Sequence, residues 1–108
     1  MDGELVINKD LIPYTFDILL ADEMFNFHIG YNNAADVFTV TLSKDGVVLC
    51  AGEPIIYGVP LFGDLKNRGN FPKVNIIPLD DSGERNAVTY DNLSTTVILQ
   101  VTDGEDNE

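Results

Sequence analysis

An all-β fold, one small antiparallel β-sandwich or barrel of about seven strands built from successive hairpins, is predicted by three observations on these 108 residues. Apolar and polar side chains alternate with period two through much of the first half. Turn residues recur every roughly 8 to 12 positions, the spacing of short strands joined by tight connections. No window keeps a helical spacing of apolar residues for as long as about ten positions, so no helix is expected.

The elements follow in order. A short first strand is expected around Leu5 to Ile7. Tyr14, Phe16, Ile18 and Leu20 alternate with Thr15 and Asp17, which predicts a second strand, and the polar "ADE" at 21–23 closes a hairpin onto Phe25, Phe27, Ile29 and Tyr31. Phe38, Val40 and Leu42 share a face opposite Thr39 and Thr41, and "KDG" at 44–46 supplies the turn into a fifth strand from Val47 to Cys50. The run "GEPIIYGVPLF" at 52–62 is apolar, yet Pro54 and Pro60 exclude a helix and a central strand. Glu53 to Tyr57 is expected to continue as an edge strand, with Ile55 or Ile56 closing the core. Gly58 and Pro60 then turn the chain so that Val59, Leu61 and Phe62 project as an exposed apolar group. A loop, "GDLKNRGNFP", precedes a strand in "KVNIIPLD". "DSGERN" turns again, and Ser94 to Val101 forms the last strand. One domain, 1–108, is expected, with 1–3 and 102–108 as loose ends.

A formal charge of -12 and a pI near 4.1 argue against electrostatic binding to nucleic acid or to anionic membranes. No apolar stretch reaches the roughly 18 to 20 residues that span a bilayer, and "MDGELVINKD" lacks the pattern of a secretory signal. Cys50 is the only cysteine and His28 the only histidine, so neither an internal disulfide nor a zinc-finger spacing exists. His28 reads as a surface imidazole. Asp80, Asp81, Ser82 and Glu84 surround Gly83 but depart from the calcium-loop spacing, so a polar turn is the favoured reading and calcium the lesser alternative. Neither "GxGxxG" nor "GxSxG" occurs, and no nucleophile with a base stands out. The sequence implies no cofactor, no metal and no catalytic residue. Lys66, Arg68 and Lys73 are half of the six cations and fall in one loop together with Phe71, which suits either a solvated loop or a docking loop for a neighbouring copy or partner.

Several features then align: Tyr31 and Asn32 closing a strand, the Asp36-Val-Phe38 step, the turn glycine Gly46, the run through Gly52, Gly58 and Leu61, and the Asn92-Leu93 step before an alternating strand. In this pattern, across about residues 12–101, the chain resembles the phage baseplate plug proteins, small all-β tail components of contractile-tailed phages. The family often has tryptophan where Phe38 stands and an aromatic where Gln100 stands. The resemblance implies that Tyr31, Asn32, Asp36, Phe38, Gly46, Gly52, Gly58, Asn92 and Leu93 are fold determinants. It further implies a non-enzymatic structural subunit of the virion tail, made in the bacterial host cytoplasm and seated between tail tube and spike. Its partners would be hub, tube or spike proteins and other copies of itself, docked through Val59, Leu61, Phe62, Lys66, Arg68, Phe71 and Lys73. The competing readings are a carbohydrate- or ligand-binding β-sandwich, which would need exposed aromatics on one face, and a hydrolase or lyase accessory enzyme.

Overall fold

The computed structural model describes residues 3–63, 71–72, 74–80, 87–95 and 97–103. The protein is all-β, with seven strands in two antiparallel sheets packed as a sandwich. The strands are β1 (Gly3–Leu5), β2 (Tyr14–Leu20), β3 (Glu23–Asn32), β4 (Val37–Lys44), β5 (Val47–Pro54), β6 (Val74–Asp80) and β7 (Val97–Asp103). One sheet runs β2-β3-β4-β5 and the other β1-β7-β6. Among the described residues the only helical turn is the 3-10 turn Lys9–Leu11.

Alternation decides the faces. On β3, Phe25, Phe27 and Ile29 point inward and are fully buried, as are Phe38, Val40 and Leu42 on β4. Asn26, His28, Thr39, Thr41 and Ser43 take the outer positions between them, less buried or exposed. Val97, Leu99 and Val101 of β7 and Val74 and Ile76 of β6 close the opposite side, and the buried residues of both sheets form one hydrophobic cluster. Each buried Phe, Leu, Ile or Val contributes about 1.5–3 kcal/mol relative to exposure. With a single cysteine there is no internal disulfide, and this cluster carries the stability.

Two hairpins of the larger sheet, β2–β3 and β4–β5, close through two-residue loops, because Leu20 pairs with Glu23 and Lys44 with Val47. Positive φ at Ala21 and Asp22, and at Asp45 and Gly46, matches the turn whose twist follows that of the flanking strands. Residues 33–36 connect β3 to β4, where Asn32 Oδ1 accepts from the backbone N–H groups of Ala34 at 3.1 Å and Ala35 at 3.3 Å.

Three boundaries differ from expectation. β1 is hydrogen-bonded over Gly3–Leu5, earlier than expected, although Leu5 and Ile7 are both buried; the inward alternation outlasts the ladder. β7 starts at Val97, not Ser94, because Ser94 has φ 69° and its N–H bonds Val97 O at 2.8 Å in a tight turn. β5 ends at Pro54, and Ile55 makes the last bond to that sheet, N–H to Phe38 O at 2.9 Å. Gly3, Thr102 and Asp103 are paired within the ladders, and residues 1–2 and 104–108 lie outside the described residues.

Candidate assembly surface

From Ile55 to Gly63 the chain crosses from one sheet to the other. Gly58, at φ 75°, donates its N–H to Pro78 O at 2.9 Å, and Leu61 donates to Ile76 O at 2.8 Å. These residues therefore lie along the free edge of β6. Pro78 sits where its missing N–H would face this strap, so the sheet tolerates it. One step on, Asp80 N–H donates to Tyr57 Oη at 3.3 Å. Two tight turns, Val59 N–H to Ile56 O at 3.0 Å and Gly63 N–H to Pro60 O at 3.3 Å, compact the segment. Glu53 ties its ends together: Oε2 accepts from Phe62 N–H at 3.0 Å, and Oε1 accepts from Cys50 Sγ at 3.9 Å.

This geometry corrects the expectation that Leu61 and Phe62 project. Both are only 3 % exposed. The Phe62 ring meets Phe27 edge-on at 6.2 Å and Phe71 at 6.1 Å, so it plugs the space over the inner face of β3. Phe62 holds φ 58°, a conformation that costs an ordinary side chain about 1–2 kcal/mol, and burial of the ring offsets that cost. Phe71 is buried by the same contact. Of the apolar candidates, Val59 remains outside at 46 % exposure, joined by Ile56 at 49 %, while Ile55 is the isoleucine that enters the core. Lys66, Arg68 and Lys73 lie outside the described residues.

The residues that carried the resemblance gather into two groups. Around the β3–β4 connection, Tyr31 Oη donates to Asp36 Oδ1 at 2.6 Å, and Tyr90 N–H donates to the same oxygen at 2.9 Å. Tyr31 packs on Phe38 at 4.7 Å and on Tyr90 at 5.0 Å, and Phe38 stacks with Tyr90 at 5.9 Å. Lys9 Nζ donates to Tyr90 O at 2.6 Å and lies 5.1 Å over its ring. The hydrogen bond to Asp36 pushes the Tyr31 phenol up to about 12, with burial adding to the effect. In return the Tyr31 hydroxyl, then the Tyr90 N–H, hold the Asp36 carboxyl below its ordinary value. The second group organises residues 87–95. Asn92 Oδ1 accepts from Thr89 N–H at 2.8 Å, its Nδ2 donates to Ala87 O at 3.0 Å, and Leu93 is buried. Gly46, Gly52 and Gly58 all have positive φ, at the β4–β5 turn, at the irregular part of β5 and within the strap.

Sequence reasoning missed Tyr90, Lys9 and Glu53. Tyr90 and Lys9 join through contacts more than 80 positions apart, and no local pattern marks them. His28 is exposed, its Nδ1 2.8 Å from Thr15 Oγ1. Burial, reinforced by the Glu53 carboxylate, raises the Cys50 thiol, which favours its protonated form. Asp81, Ser82 and Glu84 lie outside the described residues.

The strap bonds to both sheets, through Ile55 on β4 and through Gly58 and Leu61 on β6, and Asp36 joins Tyr31 to Tyr90. No curated protein matches the chain. The family model described as the cyanophage baseplate Pam3 plug, gp18, matches residues 4–104, from within β1 to the residue after β7. A match that spans both sheets and every connection between them shows the family: the chain belongs to the cyanophage baseplate plug proteins.

Proposed function

We propose that the protein is a plug or adaptor subunit between tail tube and spike, acting by protein–protein assembly and without catalysis. The family places it among the structural components of the virion baseplate. The observation that carries the proposal is the family match over 4–104, which includes the whole sandwich. Two features support it. The strap locks the two sheets together, giving the stiff body that a joint between rings requires, and Ile56 and Val59 leave apolar side chains on its outside. The partners are neighbouring hub, tube or spike proteins, and the chain also contacts copies of itself. Lys66, Arg68 and Lys73 remain proposed contacts on sequence grounds, whereas Leu61, Phe62 and Phe71 serve the core.

Mixing the purified chain with separately purified hub, tube and spike proteins from the same genome tests this. Co-migration with at least one of them in size-exclusion chromatography, and loss of tube-to-spike joining when the chain is omitted, are the expected outcomes. Normal tails assembled without the chain would overturn the proposal.

A further inference from the structure

The two sheets have four outer edges, and they are not equally protected. The edge of β6 is covered by the strap, through the bonds from Gly58 and Leu61. β1 is three residues long. β5 is broken by register shifts between Val40 and Leu42 and between Leu42 and Ser43 of its partner, and Gly52 within it has φ 70°. Irregularities of this kind discourage strand addition. β2 differs. Its seven residues pair with β3 without a shift, and it contains no proline, glycine or lysine. Among the described residues, no backbone hydrogen bond reaches its outer edge.

The bonding groups on that edge can be named. Leu20 and Glu23 flank a two-residue turn and so form a hydrogen-bonded pair. Alternation then turns the N–H and C=O groups of Leu20, Ile18, Phe16 and Tyr14 toward β3. Those of Leu19, Asp17 and Thr15 face outward, without a backbone partner among the described residues. The inward side chains Tyr14, Phe16 and Ile18 are only half-buried, while Phe25, Phe27 and Ile29 beside them on β3 are fully buried. On the outer face stand exposed Leu19, Thr15 and Asp17, the last accepting from Asn26 Nδ2 at 3.0 Å. β2 carries no cation, and in a chain of charge -12 Asp17 gives this edge a negative centre.

We propose that the outer edge of β2 is a strand-addition site for an extended segment of a different baseplate protein. That segment sets apolar side chains beside Tyr14, Phe16 and Ile18, and a lysine or arginine opposite Asp17. A second copy fits less well. The antiparallel register that pairs all of β2 with itself places Asp17 opposite Asp17, and like charges directly opposed are destabilising. An added strand would bond the three open N–H groups and complete burial of the half-covered aromatics. This inference rests on the baseplate reading above.

The test uses whole tails. Amide exchange at Thr15, Asp17 and Leu19 is expected to be fast in the isolated chain and at least about a hundredfold slower in purified tails. Asp17→Pro removes an edge N–H that makes no bond to β3, and Asp17→Lys keeps the N–H but reverses the charge. Both variants should keep a cooperative unfolding transition, and each should enter tails at least about tenfold less than the native chain in competition, a difference of about 1.4 kcal/mol. Tails that contain the chain with these amides unprotected, or that accept a folded Asp17→Lys variant as readily as the native chain, overturn the strand-addition site and leave the baseplate role standing. Protection that grows with concentration in the isolated chain makes a second copy the occupant and overturns it as well. Absence of the chain from tails removes the baseplate reading and this inference together.

Discussion

Asp36 is one carboxylate serving two donors, and its surroundings make stability depend on pH at both ends of the range. Its folded-state pKa lies below the unfolded one, so its contribution is present above the unfolded value and is lost as pH falls through the folded value. Tyr31 works in the opposite sense. Its pKa rises from 10.0 to about 12, so its contribution is complete below pH 10 and disappears as pH climbs toward 12. Tyr31→Phe is therefore expected to abolish the phenolate step near pH 12 in an alkaline absorbance titration, and to move acid unfolding to higher pH. Asp36→Asn should lower the Tyr31 titration toward its ordinary value. At Leu61 and Phe62 the expectation reverses what exposure would imply. Phe62→Ser should cost about 3–5 kcal/mol and Leu61→Ser about 2–5 kcal/mol in denaturant unfolding, because each leaves a cavity against the buried face of β3 or β6. Unfolding midpoints that barely move would show that the strap is not core. Ile56→Ser and Val59→Ser should leave stability within about 0.5 kcal/mol and weaken assembly only.

Among the elements, the two tight hairpins, β2–β3 and β4–β5, contrast. Asp45-Gly46 has the residues that a two-residue hairpin loop prefers, and the sequence shows it. Ala21-Asp22 adopts positive φ at both positions without them, since alanine has no side-chain group to compensate there. Ala21→Asn should raise stability by about 0.5–1 kcal/mol with no change in fold, a gain that thermal unfolding would reveal. The strap shows why one element resisted reading from sequence. Its prolines and glycines mark a connection, and connections usually lie on the surface. Here the connection runs along β6 through two backbone hydrogen bonds, from Gly58 and Leu61, three residues apart, an interval that breaks strand alternation. Nothing local in "GVPLF" distinguishes a ring that points out from one that points in.

At the scale of the whole molecule, charge and packing oppose each other. A net charge of -12 on a body with a radius of gyration of 13.2 Å repels itself, and much of that charge sits at exposed carboxylates. Raising ionic strength from about 0.01 M to about 0.15 M, which shortens the screening length from about 30 Å to about 8 Å, should therefore increase stability at neutral pH. A fall in the unfolding midpoint would mean that attractive ion pairs outweigh the repulsion. The same acidity gives neighbours with basic surfaces an advantage in assembly. Strand count, hairpin order and the inward residues of β2, β3, β4 and β7 were determined by sequence alone, because alternation is a local property and burial of one face enforces it. The partition of strands into sheets of three and four, the covering of β6 by the strap, the burial of Phe62 and the docking of Tyr90 on Asp36 were decided by tertiary structure. Each joins residues far apart along the chain, where the preference of any one position is weaker than the free energy of closing the core.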